Sequence, residues 1–403
     1  MLSDLPAPTP DLLGEAFFRG GDPRAREATP EPGLRVLARL GLRLLFVLAL
    51  LAAGDLALRR ALPPESLLPW MEREFAAYTV KLARFAAGPA PDVLFLGNSR
   101  VHDGIVPEVF REGLEQRWGR PARAFNLGLM NAKVAEFAAL ARAHLPEPPP
   151  PRVVFGLSGT ELANAHEFQY ASRFLWDAAE LVDWLRRTPP SRLDGAHVES
   201  WLESVLGRAW YAFSVRDALR TAARERLQDG LHAWFGVPLP HKQRALRVQV
   251  GRWSQQDVLA PDGRFEEQSF QPNLPGLLAE GDVRIPPYSL GDASELREGA
   301  DFPLMRAVVA ELQARGCRVA LAELPPSPWL QERCPDFHGD LFRERTAAFA
   351  ASLGVPFVPM PPSETLLSDA TYVDANHLSR AGARRYTRLL YERLAAAGYF
   401  DDG

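Results

Sequence analysis

Residues 92–100 read DVLFLGNSR, a short apolar run that stops at Gly97 and is followed by Ser99. A run of this length between polar flanks is typical of a buried strand in a parallel sheet. In such sheets, ligands bind in the crevice outside the carboxyl ends of the strands. Ser99 therefore occupies a position that suits a nucleophile, and the positive end of a following helix favours a developing anion. Small residues after strands also form turns, which is the alternative interpretation.

Four more apolar runs follow along the chain, and helical segments alternate with them. The predicted strands are residues 92–97, 122–128, 152–157, 317–323 and 355–360. The predicted helices are residues 107–118, 132–144, 302–314, 340–353 and 379–397. Strands that alternate with helices of about 10–15 residues form parallel sheets covered on both faces. We therefore predict an α/β fold, a three-layer α/β/α sandwich with a mainly parallel five-stranded sheet.

The N-terminal part of the chain has a different composition. Residues 1–33 are rich in proline and mixed charge, which predicts a disordered cytoplasmic tail. Residues 34–60 contain an apolar run, with three arginines before its core and two at its end. This excess of arginine favours a transmembrane signal-anchor whose N-terminus lies inside. A cleaved signal peptide and a helix buried in a soluble protein are the alternatives.

Two further segments lie outside the α/β pattern. Residues 61–90 have helical spacing and predict a linking helix after the anchor. Residues 160–300 separate the third and fourth strands and hold six of the nine tryptophans of the chain. We interpret them as an inserted subdomain of helices and loops, with a lid or a docking surface as the alternative. The α/β domain itself then comprises residues 91–159 and 301–403.

A second segment with candidate catalytic residues precedes and begins the last predicted helix. Residues 372–386 read YVDANHLSRAGARRY. Asp374 and His377 stand three residues apart, a spacing that lets the carboxylate contact the imidazole. Such a carboxylate fixes the tautomer of the histidine and stabilises the imidazolium that forms when the ring takes a proton. A helix cap beside an exposed histidine is the alternative.

In this order and strand context, the two segments resemble the SGNH/GDSL hydrolase superfamily, in the membrane-anchored branch that includes proteins of teichoic-acid D-alanylation and alginate O-acetylation. The first block of that family corresponds to Gly97-Asn98-Ser99, here followed by Arg100, and the last block corresponds to Asp374 and His377. The second block corresponds to Asn126-Leu127-Gly128. The third block departs from the family's Gly-x-Asn-Asp, because Gly156-Leu157-Ser158-Gly159 carries a serine in place of the asparagine.

The resemblance implies a catalytic triad and an oxyanion hole. Ser99 would be the nucleophile, His377 the general base and Asp374 its partner. The backbone N–H groups of Ser99 and Gly128, with help from Ser158, would hold the oxyanion. Two other residues of the first block, Asn98 and Arg100, are candidates for substrate binding. For Arg100 the alternative is a structural pair with a carboxylate on a helix.

By the same resemblance, we expect a membrane-anchored serine esterase or acyltransferase that acts on acyl esters, acetyl esters above all, of a cell-envelope polysaccharide. It would be a single-pass protein of the inner membrane with a periplasmic catalytic domain, and a multi-span membrane acyltransferase is an implied partner. One alternative is a catalytically weak or inactive SGNH-like scaffold that binds a polysaccharide or such a partner, which the altered third block favours. A soluble cytoplasmic esterase is the other alternative.

Composition excludes several other functions. The net charge of −4 and a pI near 6.1 give no reason to expect a nucleic-acid partner. Cys317 and Cys334 are too few for a disulfide framework or a four-thiolate zinc site, although they could pair with each other outside the cytoplasm. The histidines lack metal-ligand spacings, and no phosphate-binding or dinucleotide motif is present, so we expect no metal and no cofactor.

Overall fold

The computed structural model describes residues 33–67, 81–130, 132–163, 210–235, 274–280, 302–361 and 367–401, with a few isolated positions between 182 and 296. The predicted tail, all but its last residue, and most of the predicted insertion lie outside the described residues. The middle of the predicted linking helix lies outside them as well. The chain divides into two compact units, residues 1–54 and residues 55–403.

The first described element is a long apolar helix, α1 (Gly33–Ala61). Its segment Arg39–Ala61 is long and apolar enough to cross a membrane. These 23 residues extend over about 34 Å, which matches a hydrocarbon core of about 30 Å. The leucines and the phenylalanine in the middle of the helix are exposed in the structure. The helix therefore has the length, composition and exposed apolar surface of a membrane span.

Five parallel strands form one sheet in the part of the chain that the structure describes, in the order β2-β1-β3-β4-β5. The strands are β1 (Val93–Gly97), β2 (Ala124–Gly128), β3 (Arg152–Leu157), β4 (Arg318–Glu323) and β5 (Phe357–Val358). All four neighbouring pairs run parallel. The predicted α/β class and the five-stranded parallel sheet are confirmed. The last strand is shorter than predicted, because prolines flank it and proline cannot donate to a sheet.

Helices connect the strands and flank the sheet. Up to the third strand and just beyond it, they are α2 (Pro64–Leu67), α3 (Leu82–Ala87), α4 (Ser99–Gly104), α5 (Pro107–Trp118), α6 (Val134–Ala139) and α7 (Gly159–Ala163). The described parts of the inserted region contain α8 (Tyr211–Ser214), α9 (Arg216–Phe235) and α10 (Leu274–Glu280). The remaining helices are α11 (Phe302–Ala314), α12 (Pro328–Arg333), α13 (Pro335–His338), α14 (Asp340–Leu353) and α15 (Arg380–Ala396).

Local signals set the ends of several of these helices. Pro107 opens α5 at a position where its missing N–H costs nothing, and Gly119 closes it in the left-handed conformation with a φ of 64°. Gly354 ends α14 in the same conformation, with a φ of 66°. The side chain of Ser379 caps α15 by accepting the N–H of Gly382.

The side chains of β1 alternate between two apolar cores on opposite faces of the sheet. Val93 and Phe95 belong to one core, which α5 and α15 complete. Leu94 and Leu96 belong to the other core, which α6, α11 and α14 complete. Burial of each such side chain stabilises the fold by about 1.5–3 kcal/mol. Helices therefore cover both faces of the sheet.

The strand order places a change of direction at β1. The chain goes from β1 to β2 on one side and then crosses to β3 on the other side. In open parallel sheets such a reversal leaves a crevice at the carboxyl ends of the two strands, where ligands bind. Residues that follow β1 and β3 directly are thus placed at this crevice.

Candidate active site

The chain turns into α4 immediately after β1. Asn98 is the N-cap of this helix, and its Oδ1 accepts the backbone N–H of Arg100 at 2.8 Å. Ser99 is the first helical residue and is partly exposed. N–H groups in the first turn of a helix have no partner within the helix. The Ser99 N–H therefore lies at a position where it can donate to a ligand.

Three glycines at or near the carboxyl ends of β1, β2 and β3 allow α4 to approach the sheet closely. A Cβ atom added at Gly97 would lie 2.1 Å from Cγ2 of Val101, and one at Gly156 would lie 2.4 Å from the same atom. A Cβ atom at Gly128 would lie 2.8 Å from Cγ1 of Val101. Separations this short do not occur between real side chains, so the lack of side chains at the three positions is what lets Val101, two residues after Ser99, sit on the sheet.

Ser99, His377 and Asp374 are brought together at this edge of the sheet. The Nε2 atom of His377 lies 2.9 Å from Oγ of Ser99, across a sequence separation of 278 residues. The Nδ1 atom of His377 lies 2.9 Å from Oδ2 of Asp374, so the contact that the spacing predicted is present. All three side chains thus form one hydrogen-bonded row from carboxylate to hydroxyl.

A tight loop before α15 holds the histidine. Oδ1 of Asp374 accepts the backbone N–H groups of Asn376 at 2.7 Å and His377 at 2.9 Å. An antiparallel bridge between Tyr372 and Leu378 closes the loop. These hydrogen bonds fix the direction of the His377 ring before any ligand binds.

The charges of the loop set the protonation of the pair. Desolvation opposes the charge of Asp374, but hydrogen bonds from His377 and from two backbone N–H groups lower its pKa to about 2. Burial alone would lower the pKa of His377, but the hydrogen bond and charge of Asp374, together with the charge of Asp103, raise it above its usual value. Asp374 is therefore ionised at neutral pH, and His377 becomes neutral only above its raised pKa.

Arg100 connects α4 to the histidine loop. Its side chain is buried, and its Nη2 donates to Oδ1 of Asn376 at 2.6 Å. The structure therefore places this guanidinium against the loop, where it connects the helix that begins at Ser99 to the loop that holds His377. The sequence had suggested a substrate-binding role for Arg100, and burial of the side chain gives that prediction no support.

Glu161 joins the turns that follow β1 and β3. Its fully buried carboxylate accepts a hydrogen bond from Nδ2 of Asn98 and, at 2.9 Å, one from Oγ1 of Thr160. The other carboxylate oxygen accepts the backbone N–H and the hydroxyl of Ser158, both at 2.6 Å. The side chains of Asn98 and Ser158 thus both donate their hydrogen bonds to Glu161. The predicted oxyanion role of Ser158 needs correction, because its hydroxyl hydrogen is already donated to Glu161.

Gly128 also differs from the prediction. Its N–H donates to Oδ1 of Asn126 at 2.9 Å, and its carbonyl accepts from Nζ of Lys81 at 2.7 Å. A donor that is already paired is not available to an oxyanion, so the predicted oxyanion role of Gly128 is not supported. The Asn126 side chain also donates to the carbonyls of Val101 and Ile105. The second motif block therefore serves the packing and capping of α4.

A row of polar side chains lies behind His377. Oδ2 of Asp103 lies 4.0 Å from His377 Nε2, and the Asp103 side chain is only 3% exposed. Oδ1 of Asp103 lies 3.7 Å from Nε2 of His102, whose Nδ1 lies 3.1 Å from Nζ of the buried Lys81. His102 and Asp103 stand close behind Ser99 in the sequence, where they could shape the pocket or simply belong to the first turn after it. Lys81 and Glu161 were missed, because no motif spacing marks them.

The other candidate sites can be described briefly. Cys317 and Cys334 are free thiols in the structure, and burial raises the pKa of both. The disulfide that the sequence left open is therefore not formed. Within the described ranges, no group of three or more His, Cys, Asp or Glu residues is arranged to hold a metal ion.

No protein-family model matches this chain, and a search of curated proteins returns no significant match. The geometry of Ser99, His377 and Asp374 therefore stands by itself as the functional evidence.

Proposed function

We propose that the protein is an SGNH-type serine esterase or acyltransferase that acts on acyl esters, acetyl esters above all, of a cell-envelope polysaccharide. In this proposal α1 is a single-pass anchor in the inner membrane and the α/β domain is periplasmic. A multi-span membrane acyltransferase is a partner by resemblance. The observation that carries the proposal is the row of two 2.9 Å contacts from Asp374 through His377 to Ser99.

The proposed reaction begins when Nε2 of His377 takes the hydroxyl proton of Ser99. The Ser99 oxygen attacks the ester carbonyl carbon, and the carbonyl π electrons move to its oxygen. The tetrahedral intermediate collapses, the alcohol leaves with the proton from His377, and an acyl-Ser99 ester remains. Water or a sugar hydroxyl then attacks this ester, with His377 as the base again. The acyl–Ser99 bond breaks, Ser99 takes the proton from His377, and the free acid or the acylated sugar is released. Asp374 stays ionised throughout and stabilises the imidazolium.

Stabilisation of the oxyanion is the weak point of the site. Three oxyanion donors were expected from the resemblance: the N–H groups of Ser99 and Gly128 and the hydroxyl of Ser158. The Gly128 N–H and the Ser158 hydroxyl donate to other acceptors, so the Ser99 N–H is the donor that remains available. Loss of one oxyanion donor typically costs a factor of about 10²–10³ in rate. We therefore expect slow turnover of simple esters. The same observation favours the second candidate function, a scaffold that binds an acylated polysaccharide or an assembly partner without chemistry.

Hydrolysis of an activated acetyl ester by the purified full-length protein tests the proposal. Ser99→Ala should abolish the hydrolysis, whereas Ser368→Ala, at an exposed serine near the histidine loop, should leave it unchanged. A fluorophosphonate probe should label Ser99 in the folded wild-type protein. Equal hydrolysis in wild type and Ser99→Ala would reject the proposed enzymatic function. An unlabelled Ser99 in the folded protein would support the non-catalytic scaffold instead.

A further inference from the structure

Helix α9 carries a face that changes from basic to apolar along its length. Its members recur every three or four residues, and they are Arg216, Arg220, Arg224, Leu227, Leu231 and Trp234. At 100° per residue, these six positions fall within an arc of about 80°. The helix is about 30 Å long, with the arginines in its first half and the apolar residues in its second half.

This face, which we call the Arg–Trp face, is exposed to solvent apart from Arg216, which is partly buried and contacts Phe213. Trp234 is 83% exposed, Leu227 64% and Leu231 37%. Single exposed apolar residues are ordinary, but three on one helical face mark an interaction surface. The acidic residues Glu225 and Asp229 project from the other side of the helix, in line with their positions in the sequence.

The start of the helix is fastened to the end of α1. Oδ1 of Asp55 accepts the backbone N–H of Ala212 in α8 at 2.7 Å, and the hydroxyl of Tyr211 donates to the carbonyl of Leu62 at 2.6 Å. The guanidinium of Arg59 lies 5.4 Å from the centroid of the Tyr211 ring. These contacts also explain the acidic residue in the apolar run, because the Asp55 carboxylate binds both Ala212 and Arg59.

A small apolar cluster strengthens this junction. Tyr211, Val215 and Ala218 pack with Leu67, and Leu58 and Leu62 lie against them. The first turn of α9 therefore begins where the segment that can span a membrane ends, at Ala61. A surface that begins at the end of a membrane span is placed at the level of the lipid headgroups.

We propose that the Arg–Trp face lies on the bilayer surface, with its arginines on anionic lipid headgroups and its leucines and tryptophan at the headgroup–acyl boundary. Tryptophan prefers this boundary, and basic residues next to a membrane bind anionic headgroups. Each arginine near an anionic surface contributes about 1 kcal/mol to such binding. Asp217, the acid nearest to the face, is paired with Arg220 at 3.5 Å. This inference rests on the proposed membrane anchor and is independent of the proposed ester chemistry.

Quenching of tryptophan fluorescence by brominated lipids tests the proposal in the full-length protein. The protein is reconstituted in vesicles of phosphatidylcholine and phosphatidylglycerol with and without brominated acyl chains. Trp234→Phe should remove part of the quenched emission. Trp329→Phe, at a tryptophan packed against the core of the α/β domain, should leave the quenched part unchanged. Arg224→Gln should reduce the Trp234 contribution in these vesicles and leave it unchanged in vesicles of phosphatidylcholine alone.

Two results would overturn the proposal. The first is a quenched emission that is the same in wild type and Trp234→Phe. The second is a Trp234 emission that ignores the brominated lipids but shifts with protein concentration in detergent, which would assign the face to a second copy of the chain. Ester hydrolysis can succeed or fail in either case, so the two proposals are separable.

Discussion

The carboxylate of Asp103 lies 4.0 Å from Nε2 of His377, the same nitrogen that faces the Ser99 hydroxyl. His377 therefore lies between two carboxylates, since Asp374 contacts its Nδ1. Both negative charges favour the imidazolium form, which agrees with the raised pKa of the ring. Arg100 opposes them with a smaller effect. The base of the proposed reaction is thus stabilised in its charged form from both sides.

Asp103→Asn should move the acid limb of the pH–rate profile to lower pH. Loss of the carboxylate lowers the pKa of His377, so the ring is neutral, and able to accept a proton, at lower pH. The Asp103 carboxylate lies 4.0 Å from Nε2 of His377, so we expect the acid limb of the kcat/KM profile to lie at lower pH in Asp103→Asn than in wild type. Asp340→Asn, at a fully exposed carboxylate, is the control and should show no shift. An unmoved limb in Asp103→Asn would contradict the electrostatic role.

The Asp374–His377 pair should make stability depend on pH. The pKa of Asp374 is lowered to about 2, so its stabilising contribution exists above the unfolded value of about 3.9 and is lost as the pH falls toward 2. The pKa of His377 is raised, so its contribution is complete below the unfolded value of about 6.5 and is lost as the pH rises through the folded value. The pair should therefore stabilise most between about pH 4 and pH 6.5. Asp374→Asn should lower the melting temperature more at pH 5.5 than at pH 9, and an equal decrease at both would disprove the coupling.

Asn376→Ala should lower kcat while it leaves KM nearly unchanged. The substitution removes the acceptor of the 2.6 Å hydrogen bond from Arg100 and frees the histidine loop from α4. A displacement of about 1 Å between reacting groups can cost a factor of about 10², so we expect a decrease of about 10–100-fold. Asn376→Asp keeps an oxygen acceptor and should retain most of kcat. Similar activity in Asn376→Ala and wild type would show that the loop holds its position without Arg100.

Glu161→Gln should lower the free energy of unfolding of the protein. Each carboxylate oxygen of Glu161 accepts two hydrogen bonds, and an amide nitrogen in place of either oxygen would face donors. A buried donor without an acceptor costs about 1–3 kcal/mol, so the free energy of unfolding should fall by about 2 kcal/mol or more. Glu344→Gln, at an exposed position, is the matched control for urea unfolding. Equal stability of the two variants would contradict the structural role of the carboxylate.

Local sequence patterns predicted most of the fold. The strand Arg152–Leu157 and the helices Pro107–Trp118, Phe302–Ala314 and Asp340–Leu353 have the predicted bounds. Their apolar periodicity and their end signals lie within a few neighbouring residues, so sequence alone contains them. The helix α4 escaped prediction because six residues are too few to show a helical period.

The site was predicted only where its geometry is local or follows from the topology. The contact of Asp374 with His377 follows from their spacing, and the placement of Ser99 follows from the carboxyl edge of the sheet. The partners of Glu161, Asn376 and Asp103 depend on packing between distant segments, which no spacing encodes. The oxyanion donors were uncertain for a related reason. A motif identifies an N–H or hydroxyl group, but only the folded chain shows which acceptor has already taken its hydrogen.

Val101 packs directly on the backbone of Gly97, Gly128 and Gly156, so substitutions at position 101 can move α4 relative to the sheet. With bare backbone beneath it, the height of α4 above the sheet depends on the volume of one aliphatic side chain. A larger residue at position 101 would have no space and would move Ser99 away from the sheet, whereas a smaller residue would let Ser99 move closer to it. The position of the Ser99 hydroxyl can thus be adjusted at position 101 by methylene-sized steps, without any change to Ser99, His377 or Asp374.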